Sequence, residues 1–265
     1  KHLMSDCFFR SDNGDFIATE HTQGPWARGF QHAGPPAALI AHAVEAEAGP
    51  MHVARLSLDL LRPIPIARLR VELTQRTGGK RRRIIEARLI DRDSDQTVIS
   101  ALALLLRRCD VVTPELPSHD PKAPPEPASG EDFTFDFFDG PVGYHTAMQS
   151  CRVSGGPGCG HAQMWMRPRM PLIDDLTLSP LQRLMLAVDS GSGVSAAFDP
   201  REFAFMNPDM SVNIRRYPQG EWVCLDSVSH FQDFGVGLAE TRVWDSTGVV
   251  AQAGQNLLLE KRPAA

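Results

Sequence analysis

No stretch of this chain comes near the roughly 20 apolar residues that cross a bilayer. The longest such run, residues 101–106, is six long, so no membrane span is expected. Cysteine is sparse and odd in number: five, at irregular spacing (Cys7, Cys109, Cys151, Cys159, Cys224). That pattern argues against a disulfide framework and for reduced thiols in a cytoplasm. Positive charge is in deficit, with 27 Lys and Arg against 32 Asp and Glu and a net charge of −5. A general nucleic-acid binder needs a basic face for phosphate, so that class is excluded. The amino end lacks a secretory-signal pattern, and Lys1-His2-Leu3-Met4 reads as an expression scar ahead of the natural start.

Familiar catalytic signatures are missing too. There is no Gly-x-Ser-x-Gly elbow, and Gly191-Ser192-Gly193 lacks the strand-to-helix setting that one requires. The run Gly155-Gly156-Pro157-Gly158-Cys159-Gly160 has neither phosphate-loop nor dinucleotide spacing and reads as a flexible turn. Cys151, Cys159 and His161 have no fourth ligand at zinc-like spacing, so neither metal nor cofactor is expected. Lys80-Arg81-Arg82-Arg83 follows two glycines and reads first as a solvated hairpin tip.

What is present is an ordinary core-forming composition, 42% hydrophobic and 22% charged over 265 residues. That length suits one large domain or two of about 130 residues. Residues 110–132 contain six prolines and little that could be buried, the character of a polar linker. They divide the chain into an N-terminal repeat (1–109), a linker (110–132) and a C-terminal repeat (133–265). The order of elements on the two sides is the same. Each side opens with extended, Phe-rich sequence holding a turn, Asn13-Gly14 and Asp139-Gly140. In the first, Pro35-Pro36 opens an Ala-rich helix to about Ala48, followed by strands over 52–62, 69–77, 84–91 and 97–107. In the second, Ser179 caps and Pro180 begins a helix to about Asp189, followed by strands over 210–217, 222–229, 236–244 and 249–260. Links of two to five residues are too short for parallel crossovers, so the sheets must be antiparallel. The expectation is an α+β tandem duplication, each half a sheet curled around one helix.

Three features place polar groups where apolar ones belong. Leu181, Leu184, Met185 and Val188 form the apolar stripe of the second helix. Asp189 projects near that stripe at the helix C-terminal end, where the macrodipole disfavours an anion. A carboxylate held there is a candidate general base or a partner of the following turn. Counted from each helix's proline, the first half has Val44 at that position, as if the fold needs no carboxylate there. On the last strand Gln255 shares a face with Val249, Ala251, Ala253, Leu257 and Leu259, alone among apolar neighbours. A buried amide needs a partner or a task. The third feature is the start of the first helix, Gln31-His32-Ala33-Gly34-Pro35-Pro36. Small residues there leave backbone N–H groups at an electropositive helix end, a place for a carbonyl oxygen that gains charge; the alternative is a plain capping loop.

The run Trp26-Ala27-Arg28-Gly29-Phe30-Gln31-His32-Ala33-Gly34-Pro35-Pro36-Ala37-Ala38-Leu39 resembles the first helix start of the thioesterase-like double-hotdog proteins. In the second half Trp165-Met166-Arg167-Pro168-Arg169, Ser179-Pro180-Leu181, Ala187-Val188-Asp189-Ser190-Gly191-Ser192-Gly193, Met206-Asn207-Pro208-Asp209, Gly220-Glu221-Trp222 and Gly235-Val236-Gly237-Leu238-Ala239 continue the likeness in fixed order over nearly the whole chain. The likeness is greatest to acyl-CoA thioesterases of type II. It implies a double hotdog, two repeats forming one continuous curved sheet around two central helices. It also implies that Asp189, Gln255 and Asn207 position a hydrolytic water. At Asn207 the chain departs from the pattern, which has a hydroxyl; an amide still donates and accepts hydrogen bonds. His32-Ala33-Gly34 is similar to the His-Gly-Gly start of simpler hotdog thioesterases, where a backbone N–H polarises the thioester carbonyl, so Gln31, His32, Ala33 and Gly34 are the expected substrate-binding residues.

The resulting expectation is hydrolysis of an acyl-CoA or acyl-carrier thioester without covalent nucleophile, metal or cofactor. Arg215-Arg216 or residues 80–83 are candidates to meet the anionic carrier. Two other readings stand beside it: a double-hotdog enoyl-CoA hydratase or dehydratase using paired Asp and His, with His32 able to approach Asp189, and a non-catalytic acyl-binding module. A homodimer or higher oligomer is a further expectation.

Overall fold

The computed structural model describes residues 6–114, 117, 119–138 and 140–262. The terminal Lys1-His2-Leu3-Met4 and Asp139 of the second expected turn lie outside the described residues. The strands and helices follow in the order β1 (Phe9–Asp12), β2 (Asp15–Ala18), α1 (Gly34–Ala48), β3 (His52–Leu60), β4 (Arg68–Thr77), β5 (Arg82–Asp91) and β6 (Gln96–Leu106). After the linker come β7 (Glu131–Phe133), α2 (Tyr144–Ala147), β8 (Met148–Gly156), β9 (His161–Pro168), α3 (Pro180–Val188), α4 (Gly191–Val194) and β10 (Phe203–Met206). The chain ends with β11 (Asp209–Ile214), β12 (Val223–Phe231), β13 (Val236–Asp245) and β14 (Gly248–Lys261).

These strands form one sheet in the order β1-β2-β4-β5-β6-β3-β11-β14-β13-β12-β9-β8-β7, with β10 on β14. The four strands on each side of its centre follow one order. β3 and β11, each the first long strand after its helix, pair across the seam with Leu56 opposite Val212 and Ser57 opposite Ser211. Outward from them β6 answers β14, β5 answers β13, and β4 answers β12. This is a double hotdog. Among the described residues, no helix is long and apolar enough to cross a membrane.

The small side chains of α1 explain its position. Every residue from Gly34 to Ala41 is buried, because alanines let the helix lie close to both the sheet and α3. α1 and α3 pack antiparallel in the hollow of the sheet. A Cβ on Gly34 would stand 2.4 Å from the Leu186 carbonyl oxygen, so only glycine permits the start of α1 to touch the end of α3. At the other end of the pair, Ser179 forms the expected cap, its hydroxyl accepting the Gln182 N–H, a bond of the kind worth about 1 kcal/mol.

One sequence expectation changes. The linker is not free along its length: the Pro125 carbonyl accepts the Trp165 indole N–H at 2.7 Å, and the Pro127 carbonyl accepts the Cys151 thiol at 2.9 Å. It lies on the outer sheet face against a small cluster of Cys151, Trp165, Cys224 and Trp244. Val44 is buried as counted, but the next residue, Glu45, reaches the start of α3, where its Oε2 accepts from the Ser179 hydroxyl at 2.6 Å and the Gln182 amide at 3.2 Å.

Candidate active site

α3 ends at Val188, and Asp189 occupies the cap position, pointing from the buried stripe towards the start of α1. Its carboxylate is 6% exposed and is held from two sides. Asn207, just before β11, donates its amide to Oδ1 at 2.9 Å. Gln255 on β14 donates to the same oxygen at 3.2 Å and to the Asp189 backbone carbonyl at 3.1 Å. Gln255 is 1% exposed, and its other end accepts the Ser192 N–H at 3.1 Å. It is therefore a brace behind the carboxylate. Both amides take Oδ1, which leaves Oδ2 for what lies in front.

In front lies His32, its Nδ1 3.3 Å from Asp189 Oδ2. The imidazole stacks on Tyr144, ring centroids 3.7 Å apart and planes within 3°. Tyr144 is fixed in turn: its hydroxyl donates to the Leu186 carbonyl at 2.8 Å and pairs with the Ser190 hydroxyl at 2.8 Å. Burial raises the Tyr144 phenol far above its ordinary range, so it stays neutral. Burial also lowers the His32 pKa, opposed by the nearby Asp189 carboxylate.

These groups open on a cavity of about 540 Å³, within the size range of small-molecule sites. Trp26, Phe30, Ile64, Phe135, Phe137 and Phe138 give it apolar walls, while Gln31, His32, Asp189 and Asn207 line its polar end. The start of α1 supplies fewer free N–H groups than expected. Gly34 donates its N–H to His32 Nδ1 at 3.1 Å, Gln31 to Ile64 and His32 to Thr22, and the two prolines have none. Only the N–H of Ala33, a cavity-lining residue, finds no partner among the described residues. Gly34 is not part of the cavity wall; its role is the helix contact. Gln31 donates its side-chain amide to the Pro65 carbonyl at 2.6 Å, which leaves Oε1 buried and unpartnered among the described residues.

A family model for the acyl-CoA thioesterase C-terminal domain matches residues 115–259, and one for the N-terminal domain matches residues 22–106. The chain belongs to the acyl-CoA thioesterase family. Solved structures of similar fold include a protein of Novosphingobium aromaticivorans DSM 12444 provisionally assigned as a thioesterase (TM-score 0.72, 17% identity, covering 96% of this chain and 98% of that one). A hot dog fold protein of unknown function from Alicyclobacillus acidocaldarius gives 0.71 at 15% identity, covering 97% and 96%. Acyl-CoA thioesterase II of Mycobacterium marinum gives 0.62 at 17% identity, covering 97% and 95%. At such identities the likeness shows the fold. No curated protein matches the sequence.

Within this member of the acyl-CoA thioesterase family, several buried polar residues escaped the sequence reading. Behind Gly191, Ser227 and Thr241 on adjacent strands hydrogen-bond each other at 2.8 Å, and a Cβ on Gly191 would stand 2.4 Å from Thr241 Oγ1. Tyr144 sits on a four-residue helix with no periodicity to announce it. Three residues of the basic clusters considered for the carrier, Arg83, Arg215 and Arg216, are engaged elsewhere. Arg216 pairs with Asp245 at 2.5 and 2.7 Å, Arg215 with Asp120 at 2.8 Å, and Arg83 donates to carbonyls at the end of α1. The cationic residue on the cavity wall is Arg62.

Proposed function

We propose that the chain hydrolyses an acyl thioester carried on CoA or an acyl carrier, with water activated by Asp189 and no covalent nucleophile. Family membership supports thioesterase chemistry in general; the assignment of residues rests on one observation. A buried carboxylate has Oδ1 bound by Asn207 and Gln255 and Oδ2 left towards a largely apolar cavity. In this reading the acyl chain occupies the aromatic-walled part, and the thioester carbonyl lies at the start of α1 near the Ala33 N–H. Asp189 takes a proton from the attacking water, Asn207 and Gln255 keep the carboxylate aimed, and Gln31, His32 and Ala33 form the cavity wall against which the thioester lies. Arg62 meets the carrier's phosphates. The boundaries 1–109, 110–132 and 133–265 and a cytoplasmic location are parts of the same proposal.

A specific observation keeps the hydratase reading beside it: His32 stands 3.3 Å from Asp189, the acid–base pair that water addition to an enoyl thioester uses. Free-thiol release over short to long acyl-CoAs, for the native chain and Asp189→Asn, separates the two. The hydrolase reading expects thiol release by the native chain and its loss in the variant. Absence of release throughout, or release unchanged in Asp189→Asn, overturns it, and enoyl absorbance lost without thiol release supports the hydratase.

A further inference from the structure

His32 Nδ1 has two neighbours that ask for different protonation states. The Gly34 N–H points at it from 3.1 Å, which requires Nδ1 to be an acceptor. Asp189 Oδ2 lies 3.3 Å away, within reach of a hydrogen bond as soon as that oxygen carries a proton. Burial keeps the imidazole neutral, so it carries one N–H. With Nδ1 accepting from Gly34, that proton is on Nε2. The stack on Tyr144 fixes the ring plane, His32 forms part of the cavity wall, and Nε2 has no protein partner among the described residues. The arrangement is a proton donor on the cavity side whose opposite nitrogen faces the carboxylate proposed to collect a proton.

We propose that His32 is a second catalytic residue that protonates the departing thiolate and is reloaded by Asp189; this rests on the thioester-hydrolysis reading. The atoms balance as follows. A water O–H proton passes to Asp189 Oδ2 as the water oxygen forms its bond to the carbonyl carbon. When the tetrahedral intermediate collapses, the C–S bond breaks and its electron pair goes to sulfur. The His32 Nε2 proton goes to sulfur, and the Asp189 Oδ2 proton moves to His32 Nδ1. Thiol and carboxylic acid leave an Nδ1–H imidazole facing an ionised Asp189. The acid product returns a proton to Nε2, and Nδ1 releases its own through Asp189 to water, so the cycle closes with the carboxylate and one solvent proton. The contact between His32 and Asp189 thus carries the proton that would otherwise remain on the base.

The test is leaving-group dependence, which a merely structural histidine does not alter. One acyl group is presented as its CoA ester, with an alkyl thiol, and as its thiophenyl ester, whose more acidic thiol departs without a proton. His32→Gln keeps a hydrogen-bond donor but cannot release a proton. It is expected to lose about 100-fold or more in kcat/KM on the CoA ester and to lose far less on the thiophenyl ester. Equal losses on the two esters overturn the proposal, pointing to a carbonyl-polarising or structural role. The native protein gives an independent reading that survives a variant that fails to fold. It should turn over the two esters at similar rates, and a strong preference for the thiophenyl ester overturns the relay. A native chain that hydrolyses neither ester refutes the thioesterase reading itself, whereas hydrolysis of both with equal losses in His32→Gln refutes the relay alone.

Discussion

The antiparallel helix pair creates two similar corners, and they have been put to different use. At each, a carboxylate late on one helix faces the start of the other: Glu45 faces α3, and Asp189 faces α1. At the first corner the helix start is Ser179-Pro180-Leu181-Gln182, a capping box, and its hydroxyl and amide take up Glu45 Oε2. His42 completes the cluster, its Nδ1 3.3 Å from the Gln182 amide. At the second corner the helix start has no side-chain cap, Ala33 standing where Ser179 stands in its counterpart. The donors to Asp189 come instead from the sheet side, from Asn207 and Gln255, and both bind one oxygen. The remaining oxygen faces a cavity. Glu45 is structural because the start of the other helix satisfies it, and Asp189 is available because the helix start it faces is stripped to small residues and prolines.

The comparison can be broken in graded ways. Asp189→Asn should reduce thiol release by about 100- to 10,000-fold, whereas Glu45→Gln should leave it unchanged while lowering resistance to denaturant. Gly34→Ala should destabilise the fold by about 1–3 kcal/mol in urea unfolding, because the added methyl meets a backbone carbonyl at 2.4 Å that cannot rotate away. Gln255→Ala strips partners from the buried Ser192 N–H and from Asp189 and should cost about 1–3 kcal/mol, with a loss of thiol release that Glu45→Gln does not show. Ser179→Ala should cost about 1 kcal/mol at the closed corner with thiol release intact. The smallest effect is in pH. Burial lowers the pKa of His32 and of His42, one at each corner. The unfolded chain then binds more protons than the folded one just below the ordinary histidine value near 6.5. Stability should be full above that value and fall as pH drops below it, and His42→Gln should shrink the fall in the unfolding midpoint.

How far this was readable beforehand depends on the kind of signal. The duplication, the antiparallel strands and both main helices follow from turn residues and periodicity, and the buried alternation along β14 singles out Gln255. Asp189 stands out because an apolar stripe leads to it. Glu45 did not, because counting from Pro35 lands on Val44, one residue short, and a single residue on a helix turns a side chain by about 100°. The β8–β9 hairpin is rich in Ser, Gln, Arg and Gly (residues 148–168), which blurs strand alternation. The stack of Tyr144 on His32 joins residues far apart in sequence through a short helix with no pattern of its own. The shortage of free N–H groups at α1 was hidden for another reason: the acceptor for Gly34 is the side chain of His32, two residues earlier, a local bond that residue type alone does not reveal.

Of the two corner carboxylates, Asp189 and not Glu45 does the chemistry, because its second oxygen faces His32 and the cavity. The most direct measurement is thiol release from the best acyl-CoA substrate by Asp189→Asn and Glu45→Gln, side by side with the native protein and with each variant's unfolding midpoint recorded. Asp189→Asn should be folded but inactive and Glu45→Gln active but less stable if Asp189 is the base. Equal activity in the two variants, or activity lost at Glu45 and kept at Asp189, would contradict it.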